Sequence, residues 1–359
     1  MAANLTNEIS IQSVISDVQR GTWTPLVNDV VVSVFLLVNH VVLSSILCVT
    51  GTVANVINLC VFFKQRLDTS MNISLFAMSI ADLVGLVTLL WLNICSNPFI
   101  NNLDPNIVFT EVSYLTAGWP HGCASRITSW MTVYITAERC LSIAIPLKIK
   151  EVITPSRTTG VIFGIYLANI LSLVPEYSTA YFDWTHNLAK NKTTFGLAFR
   201  SNRPQTKGLT FLFHGSFTLI SFFSVILFTS ALILELKRTS QWRRQTTSSE
   251  RQSAAMSKRD RKTMVMIVLV ALSLIVCFIP TVVLSIVTIS VTEFSLVGKE
   301  VNLFNTCWSF GFLLHSVNSN VHFILYYKMS SKFRLNFNEL FGRKMEGKGD
   351  NENESDTHE

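Results

Sequence analysis

The sequence predicts an all-α integral membrane protein, a seven-transmembrane helix bundle followed by a short amphipathic eighth helix. Three observations carry that prediction. The chain has 359 residues, of which 49% are hydrophobic and only 14% charged, and its mean hydropathy is +0.40. That balance leaves too little charge to cover a soluble domain. Apolar runs long enough to cross the hydrocarbon core, which takes about 20 residues, occur at 33–63, 70–95, 111–144, 157–178, 208–238, 264–290 and 299–327. Finally, basic residues alternate in abundance between the segments joining those runs, the pattern of membrane topology.

The organisation follows in order. Residues 1–32 form a polar extracellular tail, 33–327 the bundle, and 328–359 the amphipathic helix and cytoplasmic tail. The tail has no basic start leading into an apolar core, so a cleaved signal peptide is not expected and the first span serves as insertion signal. The third run is the most polar, with Glu111, His121, Arg126 and Glu138, and the fourth is short and ends at Pro175. An odd number of spans puts the termini on opposite sides. With the amino terminus outside, 21 Lys and Arg fall on the inner side and seven on the outer, with Arg126 left inside a span. That asymmetry sets the orientation. It also explains the net charge of +6 without nucleic acid, since no folded basic patch is formed.

Sequons at Asn4 and Asn191 fall outside, where glycosylation is available, whereas Asn72 and Asn353 fall on the inner side and are expected unmodified. The seven cysteines lie almost entirely within apolar runs and match neither a zinc spacing nor a secreted disulfide framework. No phosphate-binding glycine loop, metal spacing or nucleophile motif occurs, so neither an enzyme nor a resident cofactor is expected.

Polar residues within spans are costly and usually face the bundle interior. Asn55 follows Gly51 in the first span, Asp82 lies mid-span in the second, and Glu138-Arg139 closes the inner end of the third. The sixth carries Cys277-Phe278-Ile279-Pro280. The seventh carries Asn318, His322 and Tyr326, with Phe333-Arg334 seven residues beyond that tyrosine.

In this order and spacing the chain resembles the rhodopsin-like G-protein-coupled receptors over about 33–342. Gly51-x-x-x-Asn55 and Leu75 through Ala81-Asp82-Leu83 resemble the signatures of the first two helices. Glu138-Arg139-Cys140, with Pro146-Leu147 following, resembles the Asp-Arg-Tyr motif. Cys277-Phe278-Ile279-Pro280 is similar to Cys-Trp-x-Pro, and His322 through Tyr326 stands where Asn-Pro-x-x-Tyr is usual. The branch is divergent. Tyr114 occupies the usual cysteine position of the third helix, and the outer loop at 179–207 contains no cysteine. The usual disulfide is therefore missing and the loop must be ordered in another way, Cys95 and Cys307 being the remaining pair near outer helix ends. Ile165 stands near the usual tryptophan of the fourth helix, and the fifth and seventh lack their prolines. The run from Asn318 to Phe323 looks most like invertebrate peptide-type and chemosensory receptors.

The resemblance implies an activation switch at Glu138, Arg139, Phe278, Pro280 and Tyr326. It also implies a polar network of Asn55, Asp82, Thr128, Asn318 and His322, which in the family often holds an allosteric sodium ion. A purely structural aspartate is the other reading of Asp82. The implied partners are an extracellular ligand, a heterotrimeric G protein, arrestin, receptor kinases and the lipid of the plasma membrane. Counting back from Arg139, His121 and Arg126 lie roughly 27 and 20 Å above the inner face, which is pocket depth in this family, and His214 and His315 fall at comparable heights. These four are candidate ligand contacts, although a histidine on an apolar helix is more often a satisfied core residue. Arg126, with no carboxylate in clear reach, favours a ligand bearing an acidic or strongly accepting group between the third, fifth and seventh spans.

Other functions are weaker. A transporter or channel could use Asp82, Arg126 and His322 as a permeation path, but inverted repeats are not evident. The retinal-binding lysine of opsins would fall at Ser316, and the aspartate of aminergic receptors at His121. The 239–262 segment reads as a basic loop suited to G-protein docking, with Thr246 to Ser249 open to phosphorylation, and the acidic tail from 350 as disordered.

Overall fold

A computed structural model describes residues 25–101, 103–145, 148–187, 192–245, 258–295 and 298–342. Asn4, Asn191, Pro146, Leu147, the 246–249 sites and the acidic tail lie outside the described residues. Seven long helical segments run through the chain: α1 (Asp29–Lys64), α2 (Ser70–Cys95), α3 (109–144), α4 (Pro155–Tyr177), α5 (Arg203–Gln245), α6 (Lys258–Ser290) and α7 (Val301–Met329). A further helix, α8 (Ser331–Leu340), follows.

Local chemistry sets the ends. Asn28 caps α1 by accepting from the amides of Val30 and Val31, so this helix starts four residues earlier than the apolar run suggests. Thr69 caps α2 and Thr154 caps α4, the latter with Pro155 in the first turn where its missing N–H costs nothing. Ser330 breaks α7 from α8 with extended backbone and caps the new helix through the Phe333 amide. Two helices widen into π turns. In α3 the π turn at Tyr114–Gly118 comes just before Pro120, which cannot donate to the carbonyl four residues back. In α1 the π segment Leu37–Ser44 buries the adjacent polar pair Asn39 and His40, which bond Ser309 on α7 and Asn93 on α2.

α3 packs against α2, α4, α5 and α6, and α7 closes the bundle against α1 and α6. The inner half of the core gathers Phe62, Met78, Met131, Ile135, Leu232, Ile267, Tyr326 and Phe333. Outward faces are inverted relative to a soluble protein: Val53, Phe163, Leu227, Val276 and Val283 are all more than 40% exposed, which lipid accommodates and water does not. α1, α2, α4, α5 and α6 are long and apolar enough to cross a membrane. α3 and α7 fall short on hydropathy because they carry the buried polar groups described below.

The all-α expectation lacks one element: the outer loop is an antiparallel hairpin, β1 (Ala180–Asn187) and β2 (Lys192–Phe199), in register from Ala180 opposite Phe199 to Asn187 opposite Lys192. Aromatic and β-branched residues favour the pleated surface, and Phe182 and Trp184 both meet the Phe195 ring across the strands.

Candidate functional site

The buried polar side chains form layers that descend from the outer ends of the helices to the inner end of α3. The outermost layer replaces the missing disulfide. All seven cysteines are free, Cys95 and Cys307 among them. Tyr114 donates its hydroxyl to the Glu176 carboxylate at 2.9 Å, and Arg203, at the start of α5, donates to the same oxygen at 2.8 Å. The Arg203 guanidinium also lies 3.8 Å over the Phe199 ring of β2. On the other side of the hairpin, the Glu111 carboxylate accepts from the Leu197 amide at 2.8 Å. Phe195 exchanges backbone bonds with Asn106 and Val108. A Cβ at Gly196 would displace the Glu111 carboxylate, the far end of a flexible side chain.

Arg126 lies one layer in and is 3% exposed. Its partners are neutral side chains. Nε donates to Asn169 at 3.3 Å, Nη2 to Ser172 at 2.9 Å, and Nη1 to His214 Nδ1. These acceptors are neutral and belong to α4 and α5, so Arg126 faces away from α7. No carboxylate pairs with it among the described residues. Glu176, near the outer end of α4, is committed to Arg203.

His121 and His315 make a separate group across α2, α3, α6 and α7. His121 Nδ1 donates to the Gly85 carbonyl at 2.9 Å, since a carbonyl can only accept. In the neutral ring Nε2 is then an acceptor, and it takes the Nδ1 proton of His315 at 3.3 Å. His315 Nε2 in turn accepts from Thr281 at 3.2 Å. One set of tautomers satisfies the whole string. The His315 ring stacks on Phe278 with centroids 4.5 Å apart, two residues before Pro280, the proline within α6. The four predicted ligand contacts thus split into two pairs, Arg126 with His214 and His121 with His315.

The third layer centres on Asp82. Thr128 and Ser319 donate to Oδ1 at 2.9 and 3.2 Å, and His322 Nδ1 lies 2.6 Å from Oδ2. Asn55 reaches the layer indirectly, through the Ser319 carbonyl at 3.3 Å and the Gly51 carbonyl at 2.9 Å. Asn318 does not join it: its side chain accepts from Ser273 on α6 at 3.2 Å. Ser319 is the member that sequence reasoning missed, although its spacing of three from His322 puts both on one helical face.

At the inner end, Tyr326 packs between Phe62 and Phe333, and its hydroxyl has no hydrogen-bond partner among the described residues. Arg139 Nη2 donates to Glu138 Oε1 at 2.7 Å, while Glu138 Oε2 and Arg139 Nε have no partner among the described residues. The inner-side sequon residue Asn72 is buried and bonds the Arg66 carbonyl at 3.0 Å.

The model of the serpentine type 7TM GPCR chemoreceptor Srw family matches residues 42–344, from the α1 π segment to just beyond α8, and so takes in every layer described above. The chain belongs to that family of chemoreceptors.

Proposed function

We propose that this receptor converts binding of an extracellular chemical ligand into nucleotide exchange on a heterotrimeric G protein, with all seven long helices crossing the plasma membrane and the amino terminus outside. The observation that carries the coupling step is the Glu138–Arg139 pair. The carboxylate is buried and the guanidinium, 19% exposed, is held by its sequence neighbour. Among the described residues, leaving Glu138 frees the arginine for a protein docking from the inner side. Basic ends on α5 and α6 suit such a partner, and arrestin and receptor kinases would use the same face. Tyr326, buried and without a partner for its hydroxyl among the described residues, is poised to gain one on rearrangement.

Ligand contact is assigned to the two buried groups below the hairpin, His121 with His315 and Arg126 with His214. The neutral surroundings of Arg126 support a ligand with a carboxylate or similar acceptor, because a guanidinium bonded only to neutral groups keeps much of its charge unanswered. Membership of a chemoreceptor family favours this reading over a transporter. Replacing Arg139 with Ala is expected to abolish receptor-stimulated nucleotide exchange while surface expression persists. Full exchange by that variant would refute the coupling role.

A further inference from the structure

We infer that His322 occupies the place a bound sodium ion would take beside Asp82, and that the receptor is therefore indifferent to sodium. Resemblance to rhodopsin-like receptors raises the expectation of such an ion at Asp82, and the residues around that carboxylate decide whether it fits. A hard cation is held by several oxygen lone pairs converging on one point. Around Asp82 the acceptors are already taken.

Oδ1 receives the hydroxyls of Thr128 and Ser319. Oδ2 receives His322 Nδ1 at 2.6 Å. A carboxylate oxygen cannot donate, so the proton lies on Nδ1 and the N–H points along the direction from which a cation would bind. Asn318, the other amide oxygen of α7 at this height, is turned to Ser273. The adjoining cavity, lined by Asp82, Ser125, Thr128, Ser316, Asn318 and Ser319, measures about 10 Å³, room for about one water and not for an ion with its own shell. The residues present do not fit sodium.

What they fit is an internal donor. Asp82 is 3% exposed and His322 fully buried, and a buried carboxylate needs charge or strong donors facing it. The imidazole supplies that from within the chain, on the helix that also carries Ser319. The inference rests on the bundle geometry alone and not on G-protein coupling.

Thermal unfolding of the purified full-length receptor tests it, in sodium chloride against choline chloride at fixed ionic strength. The natural chain is expected to show the same Tm in both salts. His322→Asn removes the N–H, opens space beside Oδ2 and presents an oxygen. It is expected to gain a saturable, sodium-specific rise of about 2–5 °C, lost again when Asp82→Asn is added. A sodium-specific rise in the natural chain would overturn the inference. So would a His322→Asn protein that folds and stays flat, because His322 would then not be what keeps the ion out. If His322→Asn does not fold, His322→Ala takes its place with the same expected gain, and the measurement on the natural chain decides by itself.

Discussion

Glu176→Gln should release the outer hairpin without unfolding the bundle. Glu176 is 1% exposed at its side chain and Arg203 14%, and both Tyr114 and Arg203 converge on one carboxylate oxygen. The amide keeps the shape and one acceptor but removes the charge. Breaking a buried ion pair by neutralising one partner typically costs about 3–5 kcal/mol, because the other charge is left uncompensated. Arg203 retains some solvent and the Phe199 face, which brings the cost to the bottom of that range or just below it, about 2–3 kcal/mol. At about 1.4 kcal/mol per tenfold, the population in which the hairpin detaches rises roughly 30- to 100-fold. Hydrogen exchange reads this directly through local opening. The amides of Phe195 and Arg200, which bond Asn106 and Thr179, should lose protection by that factor, while amides in the middle of α3 should not change. Adding Arg203→Gln should recover part of the loss, since the stranded charge is gone. Unchanged protection in Glu176→Gln would refute the clasp, and collapse of the hairpin on mild reduction of the natural chain would show that a disulfide holds it.

Other outcomes follow from the same geometry. Gly196→Ala should push the Glu111 carboxylate off the Leu197 amide and raise exchange of that amide, again sparing the bundle core; an unchanged Leu197 rate would mean that Glu111 does not hold the strand. Among agonists recovered by a second-messenger screen, those with a carboxylate should lose about 10- to 100-fold in potency on Arg126→Ala, the worth of a charge-assisted hydrogen bond. They should lose less on Arg126→Lys, with surface expression controlled. Equal potency on both variants would reassign Arg126 to holding α3, α4 and α5 together. Thr281→Val, which removes the donor to His315 Nε2 while keeping the side-chain shape, should cost about 1 kcal/mol of thermal stability, measured as a small fall in Tm; a neutral result would mean the string does not brace α6 against α7.

The helices were legible in the sequence because lipid imposes long apolar runs and positive inner loops, which act locally and leave a periodic record. Side-chain capping by Asn28 moves the start of α1, and α5 and α6 run on beyond their apolar runs into the basic inner segment. Asp82, Thr128 and His322 were brought together as their heights suggested. Asn318 was not, because one residue of helix is 100° of rotation and its neighbour Ser319 takes the inward position. The hairpin and its clasp were illegible for a different reason. Tyr114, Glu176 and Arg203 are far apart along the chain, and nothing local marks an acid at the end of α4 as the partner of an arginine that opens α5. The π turns are likewise invisible to a 3.6-residue period, although Pro120 could have signalled the one in α3.

α7 threads the layers together. His315, Ser319, His322 and Tyr326 are spaced four, three and four residues apart and so share one face of a helix. The layers they enter differ in strength. The His121–His315–Thr281 string consists of neutral hydrogen bonds worth about 1 kcal/mol each, and a ligand that prefers one arrangement by about 1–3 kcal/mol can rearrange it. Asp82 is held by three donors at once, one at 2.6 Å, and disturbing it costs more than such a preference supplies. A ligand acting at the outer string would therefore shift α6 against α7 near Phe278, where Pro280 has already removed a backbone bond, before it disturbed the Asp82 layer. The bundle is thus softer above that layer than at it, and differential affinity of the ligand for the two arrangements is the whole of the driving force.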